Sequence, residues 1–329
     1  MGTTHFMAIK KLAKAEVGAI CTRDQRKLSG DWSGIQGNFG QGGGVQDLTG
    51  IRTCTDIEEV LNDPEIDLVD VCLPTALHHD VVIRALNAGK HVLVEKPIAL
   101  SLIEADRMIH KADEVNKTLM VAQVLKFFPE FAFLKQAIDD KRYGRLLGLH
   151  LKRVISKPLW GKDNWFGDYE QTGGAGIDLH IHDTDYLRHL FGMPEDVHSS
   201  GMTTPNGYVL YLNTQYGYRN QNITVTAQCG AISSAAFEQG YDAYFEEGTL
   251  WYNALSDRPV TLYTPDGGKS EPTIDFPEAF EAQLGYAIEV LNNNAEPVLL
   301  SADAAREALH ICHREAESVR TGQTINLED

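Results

Sequence analysis

Cysteines are few and widely separated in this chain of 329 residues: there are five, and no two form a Cys-x-x-Cys pair. Neither a disulfide framework nor a zinc knuckle is therefore expected. Basic residues are also scarce, because Lys and Arg number 29 against 46 Asp and Glu, a formal net charge of -17. So acidic a surface argues against nucleic acid or an anionic membrane as a partner, since both favour clustered Lys and Arg.

Long apolar runs are missing as well. No segment is long and apolar enough to cross a bilayer. Residues 1–13 carry Lys10 and Lys11 inside their apolar stretch, which is not the layout of a signal peptide. With 43% hydrophobic and 23% charged residues, the composition is that of a globular protein with enough apolar material for two cores. We expect a cytoplasmic protein with two domains.

Short β-rich segments alternate with helical patterns in the first 125 residues. The predicted strands are 16–21, 67–72, 91–94 and 119–124. The predicted helices are 5–15, 56–61, 78–88 and 101–116, the last opening with a capping box at Ser101 and Glu104. This alternation predicts βαβ units and a parallel sheet, an α/β domain. The Gly-rich stretch 29–50 leads into a polar segment and is interpreted as a surface loop.

The pattern changes after residue 125. A strand is predicted at 146–155, a helix within 173–191, a series of strands across 197–252, and two helices at 279–293 and 302–320. Strands grouped together and flanked by helices favour an α+β domain with a largely antiparallel, open sheet. We therefore predict a boundary near residue 125, with domains at 1–125 and 126–329.

The most specific passage of the first half contains PTALH at 74–78, AGKHV at 88–92 and EKP at 95–97. PTALH and EKP each come just after a predicted strand. Residues just past the carboxyl ends of parallel strands surround the ligand crevice of an open α/β sheet. The Lys96 ammonium is therefore expected to reach a ligand, and the sequence leaves open whether the bond before Pro97 is cis.

The second half contains GGAGIDLHIHDTD at 173–185. On a helix, Asp178 and His182 are four residues apart and share a face, so the carboxylate can orient the imidazole; Asp185 lies on the same face. An imidazole that titrates near pH ~6.5 suits proton transfer from an alcohol. His180 and His182 do not predict a metal site, because side chains two residues apart on a helix point about 200° apart.

Together these passages resemble the glucose–fructose oxidoreductase / inositol dehydrogenase / rhizopine-catabolism (GFO/IDH/MocA) family of NAD(P)-dependent oxidoreductases. The resemblance covers the whole chain and implies a Rossmann domain followed by a substrate-binding and oligomerisation domain. It implies hydride transfer to or from a CH–OH group of a sugar, polyol or sugar derivative, by a homo-oligomer (a dimer or tetramer). One alternative is a member that uses transient oxidation for epimerisation or glycoside cleavage. Another is a non-catalytic nucleotide-sensing regulator, against which the presence of both Lys96 and His182 counts.

The resemblance also implies roles for individual residues. Lys96, Asp178 and His182 match the family's catalytic trio: His182 as general acid–base, Lys96 polarising the reacting oxygen, and Asp178 positioning the substrate and His182. The implied dinucleotide-binding residues are Gly2, Thr22, Arg23, Leu73, Pro74, Thr75, His78, Glu95 and Lys96. The implied substrate-binding residues are Lys126, Arg153, Trp165, Asp178 and His182. No metal is expected.

The expected cofactor is NAD or NADP. Thr22 stands where NAD-preferring Rossmann proteins usually place a carboxylate, and Arg23 follows it, which favours NADP, although Asp24 leaves NAD open. The chain departs from the family at its start, where Gly2 and His5 match only the end of the Gly-x-Gly-x-x-Gly fingerprint and the histidine after it. We expect the central strand position of the Rossmann sheet to be empty, either because the true start lies upstream of Met1 or because the domain is truncated.

Overall fold

The computed structural model describes residues 1–35, 43–156, 167–233, 237–257 and 260–327, which divide into two compact units. The first unit comprises Met1–Ala122 and Phe280–Asp303. The second comprises the described parts of 123–279 and 304–329. The first unit thus takes in a segment from near the C-terminus that the predicted division at residue 125 places in the second domain. That division stays a prediction.

The helices and strands follow one another in a regular order along the chain. Up to residue 122 they are α1 (Gly2–Ile9), β1 (Ala19–Cys21), α2 (Gln25–Leu28), β2 (Arg52–Cys54), α3 (Glu58–Leu61), β3 (Leu68–Val71), α4 (His78–Asn87), β4 (His91–Glu95), α5 (Leu102–Glu114) and β5 (Leu119–Ala122). Beyond it they are α6 (Pro129–Asp139), β6 (Leu146–Ile155), α7 (Tyr169–Thr172), a π-helical turn (Ala175–Leu179), α8 (Ile181–Phe191), β7 (Asp196–Thr203), β8 (Val209–Gly217), β9 (Thr224–Gly230), β10 (Phe237–Phe245), β11 (Gly248–Asn253), β12 (Val260–Tyr263), β13 (Lys269–Ser270), α9 (Ala279–Asn293), α10 (Ala302–Thr321) and β14 (Thr324–Asn326).

Local chemistry explains several of these boundaries. The Ser101 hydroxyl caps α5, accepting from the Glu104 amide at 3.3 Å and donating to the Glu104 carboxylate at 2.9 Å, which confirms Ser101 as the predicted start of the helix. Gly89 follows α4 with φ of 73°, a conformation that suits glycine at a helix end. The first helix was expected at 5–15, and this is wrong. It ends at Ile9 because, after Lys10, the amides of Lys11 and Leu12 bond three residues back and tighten the chain into a turn.

The parallel strands of the first unit form two separate sheets. β1 pairs with β2, and β3, β4 and β5 pair in that order. Within the described part of the chain β1 and β3 do not pair with each other, which is the arrangement expected of a Rossmann sheet whose central position is empty. Accordingly the side chains of β1 range from half-buried to exposed, whereas β5 is buried throughout.

The second unit is built on one large sheet. Its nine described strands lie in the order β13-β12-β11-β10-β6-β9-β8-β7-β14, and every neighbouring pair is antiparallel except β6 with β9. This confirms the prediction of a largely antiparallel sheet. Helices α6 and α8 add buried aromatic rings to its core: Phe131 meets Tyr186, Tyr241 and Tyr252 edge to face, with centroids 5.0, 5.5 and 5.8 Å apart. None of the helices that the structure describes is long and apolar enough to cross a membrane.

Candidate active site

Two loops of the first unit follow neighbouring parallel strands. β3 pairs with β4 with Val71 opposite Val94, so the loops after them leave the same edge of the sheet. Buried His78 joins these loops: its Nδ1 lies 2.9 Å from the carbonyl oxygen of Pro97, and its Nε2 lies 2.9 Å from that of Leu73. Burial lowers the pKa of His78, so the neutral ring donates to one of these carbonyls at a time.

Lys96 begins the loop after β4. Its side chain is half-buried, and its backbone amide donates to Glu95 Oε2 at 3.1 Å. The Lys96–Pro97 peptide bond is cis. At the same sheet edge Thr75 is buried and Leu73 is 40% exposed. The structure therefore brings Leu73, Thr75, Glu95 and Lys96 together with the intervening Pro74, and their part in binding a dinucleotide stays a prediction.

Buried His5 connects α1 to the ends of both strands. Its Nδ1 lies 2.8 Å from Asp70 Oδ2, and its Nε2 lies 3.0 Å from Glu95 Oε1. Burial opposes protonation, but Asp70 and Cys72 outweigh it and raise the pKa of His5 well above the usual 6.5. Burial likewise opposes ionisation of Glu95, but His5 lowers its pKa. Burial and Asp70 raise the pKa of the Cys72 thiol to about 11. The buried His5 imidazolium thus lies between the carboxylates of Asp70 and Glu95, and Glu95 directly precedes Lys96.

The residues after β1 are polar. The Thr22 hydroxyl accepts from the Asp24 amide at 3.3 Å, and Asp24 caps α2 by accepting from the Arg26 amide at 3.1 Å. The Arg26 guanidinium binds Asp31, whereas the Arg23 side chain is exposed. Arg23 thus places an exposed cation two residues after β1.

These features fit a dinucleotide. Helix α1 starts at exposed Gly2, has no side-chain cap and carries no acidic residue in its first turn, so its amides favour an anion such as a pyrophosphate. The Thr22 hydroxyl and the Arg23 guanidinium suit a ribose and a 2′-phosphate respectively. Leu73 and Leu77, 40% and 48% exposed at the end of β3, offer apolar surface to a flat ring.

In the second unit a glycine pair shapes the chain before α8. Gly173 and Gly174 have φ of 78° and 76°, in the left-handed region. A Cβ on Gly173 would lie 2.9 Å from the Ile177 Cβ, so both conformation and space require glycine there. The chain then forms the π-helical turn and enters α8 at Ile181. Helix α8 confirms the prediction of a helix within 173–191, but Asp178, expected on that helix, lies in the π turn before it. Turns of this π kind are frequent at functional sites.

Asp178 and His182 lie on either side of this junction. Asp178 belongs to the π turn and His182 to the first turn of α8. Both side chains are half-buried, whereas His180 between them is completely buried. A carboxylate and an imidazole that remain partly accessible at a helix start are suited to proton transfer.

The predicted substrate residues have different surroundings. Lys126 is 9% exposed, and its Nζ lies 2.9 Å from Oδ2 of buried Asp185. Burial raises the pKa of Asp185, and Lys126 offsets this only in part. The structure thus gives Lys126 an ion-pair partner, Asp185, from the motif at 173–185. Trp165 lies outside the described residues.

Arg153, predicted as a substrate contact, is 2% exposed. Its guanidinium donates to Asp183 through Nε at 3.0 Å and Nη2 at 2.8 Å, and to the Gln239 side chain through Nη1. Burial opposes ionisation of Asp183, but Arg153 and His180 lower its pKa overall. Arg153 therefore stabilises a buried carboxylate near the start of α8.

Sequence reasoning missed the buried contacts of His180 with Glu315 and Tyr216. His180 Nε2 lies 3.1 Å from Glu315 Oε1, and the Tyr216 hydroxyl donates to the same oxygen. Glu315 comes from α10, 135 residues along the chain, so no local pattern could have revealed it. The only available sign was His180 itself, in a His-x-His pair considered solely as metal ligands.

Two groups of donor atoms in the described part of the chain lie within 4.8 Å of one another. They are His5 with Asp70 and Cys72, and His180 with Asp183 and Cys229. In each group the carboxylate already pairs with a protein cation, His5 or Arg153. We assign a metal to neither, and the expectation of no metal stays a prediction.

Comparison with known proteins relates both units to one family. Residues 1–123 match the GFO/IDH/MocA model, described as an oxidoreductase family with an NAD-binding Rossmann fold, and residues 131–251 match the GFO/IDH/MocA C-terminal domain. The chain is 29% identical over 287 residues to a scyllo-inositol 2-dehydrogenase (NAD(+)) of Bacillus subtilis (strain 168), which covers 82% of this chain and 80% of that protein.

Two further relatives widen the comparison. The chain is 29% identical over 194 residues to a 2,7-anhydro-N-acetylneuraminate hydratase of Mediterraneibacter gnavus, covering 59% of this chain and 50% of that protein. A crystal structure of the aldose-aldose oxidoreductase from Caulobacter crescentus, complexed with glycerol, has a TM-score of 0.80 at 21% identity and covers 98% of this chain and 95% of that one.

The two matched models describe an oxidoreductase that consists of an NAD-binding Rossmann unit and a C-terminal unit. The chain belongs to the GFO/IDH/MocA family of NAD(P)-dependent oxidoreductases.

Proposed function

We propose that this enzyme interconverts a secondary alcohol and a ketone on a sugar, polyol or sugar derivative, as a cytoplasmic homo-oligomer. The observation that carries the proposal is the half-buried pair Asp178 and His182 at a π-interrupted helix start. The name of the Bacillus relative, an inositol dehydrogenase, supports a polyol as substrate.

The roles of the residues follow from their chemistry. When bound, the nicotinamide accepts or supplies the hydride. His182 takes the hydroxyl proton during oxidation and returns it during reduction. Asp178 orients the imidazole and the substrate, and the Lys96 ammonium donates a hydrogen bond to the reacting oxygen. Lys126 and Trp165 complete the substrate-binding set.

The cofactor is proposed to be NADP in preference to NAD. The Thr22 hydroxyl follows β1 in place of a carboxylate, and the exposed Arg23 supplies a cation for a 2′-phosphate. The remaining dinucleotide contacts are assigned to Gly2, to Leu73, Pro74, Thr75 and His78 after β3, and to Glu95 and Lys96 after β4.

A second candidate is a reaction with transient oxidation and no net cofactor change. The relative named as a hydratase favours it, because hydration changes no oxidation state overall. This candidate predicts that cofactor stays bound through purification and that absorbance at 340 nm does not change during turnover.

The test is to replace Lys96 and His182 singly by alanine and to screen polyols, aldoses and sugar acids with NAD and NADP. Each variant should lose ~10²–10⁴-fold in kcat, because positioned acid–base groups contribute that much. Cofactor Kd should change little in His182→Ala, because His182 is not among the dinucleotide contacts.

Matched controls are His189→Ala, on the same helix as His182, and Lys117→Ala, a half-buried lysine of the first unit. Both should keep kcat within about threefold of the parent, far below the catalytic loss expected above. A loss below tenfold in His182→Ala would refute its role as proton carrier.

A further inference from the structure

A network of buried charged side chains connects α8 to α10 and to the large sheet of the second unit. His180 is completely buried; its Nε2 lies 3.1 Å from Glu315 Oε1, and its Nδ1 lies 3.4 Å from Asp183 Oδ2. Arg153 holds the other side of Asp183, and the Tyr216 hydroxyl donates to Glu315. All five side chains are at most 3% exposed.

The charges of these buried side chains balance only when the His180 imidazole is protonated. Arg153 and His180 then supply two positive charges against the two carboxylates of Asp183 and Glu315. A neutral imidazole would leave one buried negative charge without a counter-charge, which is costly in a low-dielectric interior. Burial opposes protonation, but Glu315 outweighs it, and the pKa of His180 is raised well above the usual 6.5.

The position of His180 links these charges to the candidate catalytic pair. It lies between the π turn and α8, so it is the residue at which the helix changes its winding. On entering α8, His182 follows His180 by two positions, so its side chain projects about 200° away. Asp178 precedes His180 by two positions in the π turn, and both Asp178 and His182 are half-buried where His180 is fully buried. Anchoring the His180 side chain in the interior therefore determines where Asp178 and His182 project.

We propose that His180 is a positioning residue, whose imidazole, held between Glu315 and Asp183, fixes the turn that carries Asp178 and His182. Arg153 belongs to this anchor, holding Asp183, and does not contact the substrate. The inference rests on the proposed function, since it gives the enzyme's proton-transfer pair a rigid support. A misplacement of about 1 Å at a reacting group is enough to cost ~10²-fold in rate.

The experiment compares His180→Gln, Glu315→Gln and the double variant with the parent enzyme. His180→Gln should lower kcat ~10–100-fold and leave KM and cofactor Kd within about threefold, because the reacting groups are displaced while binding surfaces persist. The double variant removes one positive and one negative charge together and lets two amides bond each other. It should recover kcat to within about fivefold of the parent. Recovery of this kind is not expected of a residue that serves stability alone.

The matched control is Val260→Ala, which shortens a buried side chain of β12 in the same unit. It should lower Tm but leave kcat unchanged. A kcat of His180→Gln equal to that of Val260→Ala, or a change confined to KM, would overturn the proposal. If His180→Gln does not fold, Glu315→Gln and the double variant decide the matter by the same comparison.

Hydrogen exchange separates this inference from the proposed function. Amides of 175–191 should exchange faster in His180→Gln than in Val260→Ala, whether or not any substrate is turned over. Unchanged exchange there overturns the positioning role. An absence of NAD(P)-linked turnover in the parent enzyme, together with faster exchange in His180→Gln, refutes the proposed function and leaves the anchor intact.

Discussion

Replacing His5 by glutamine should destabilise the first unit. The imidazole lies 2.8 Å from Asp70 and 3.0 Å from Glu95, and the exposed fractions of the three side chains are 1%, 23% and 8%. Glutamine is uncharged and cannot reach both carboxylates. The substitution would therefore leave the Glu95 carboxylate buried, with no cation beside Oε1, the atom that His5 now contacts.

The size of the loss follows from these exposures. Breaking a buried ion pair by removing one partner costs about 3–5 kcal/mol. Asp70 is partly exposed and can regain water, so we take the lower end, about 3 kcal/mol. For a unit of this size that corresponds to a melting temperature lower by ~6–12 °C.

Urea unfolding and hydrogen exchange over Gly2–Ile9 and Leu68–Val71 measure the effect. His110→Gln is the matched control, an exposed histidine of α5 in the same unit, and should change stability by less than about 0.5 kcal/mol. Adding Glu95→Gln to His5→Gln removes the stranded charge and should recover at least half of the loss.

The pH dependence gives an independent check. The pKa of His5 is higher in the folded chain than in the unfolded chain, so its stabilisation is complete below about pH 6.5 and is lost as pH rises through the folded pKa. The difference between parent and His5→Gln should therefore be largest near pH 6 and shrink toward pH 9. A loss below about 1 kcal/mol at pH 6, or a difference that grows with pH, would show that a protonated His5 does not stabilise this unit.

Two further predictions concern cofactor choice and the second unit. Arg23→Ala should lower the NADP/NAD ratio of kcat/KM by about tenfold, since a charged hydrogen bond is worth ~1.5–3 kcal/mol and this one is exposed; an unchanged ratio would mean that Arg23 does not read the phosphate. Lys126→Met should cost about 3 kcal/mol in urea unfolding because Asp185 stays buried, and adding Asp185→Leu should restore most of it; equal stability of the single and double variants would contradict this.

The sequence alone predicts what depends on local pattern. Periodicity gave the bounds of β6 and α9, and the hydroxyl-to-carboxylate spacing at Ser101 gave the start of α5. The strand-then-loop pattern placed Lys96 at a sheet edge. Each of these needs only residues within a few positions of one another.

What the sequence could not predict depends on distant contacts. The sequence predicts Arg153 as a substrate contact, but no local pattern reveals that its guanidinium pairs with Asp183, 30 residues away. The anchor of His180 comes from Glu315 on the last long helix. The π turn replaces a regular helix because Gly173 and Gly174 enter it with positive φ and pack closely, which helical spacing does not encode.

Deuterated substrates distinguish hydride transfer from a carbinol carbon from every other route to reduced cofactor. The enzyme is incubated with NAD or NADP and a panel of polyols, aldoses and sugar acids deuterated at every carbinol carbon, inositols included, and the cofactor is examined by mass spectrometry. We expect one deuterium on the nicotinamide ring with at least one substrate, at a rate lowered ~10²–10⁴-fold in His182→Ala. Reduced cofactor without deuterium, or no reduced cofactor from any member of the panel, would contradict this expectation.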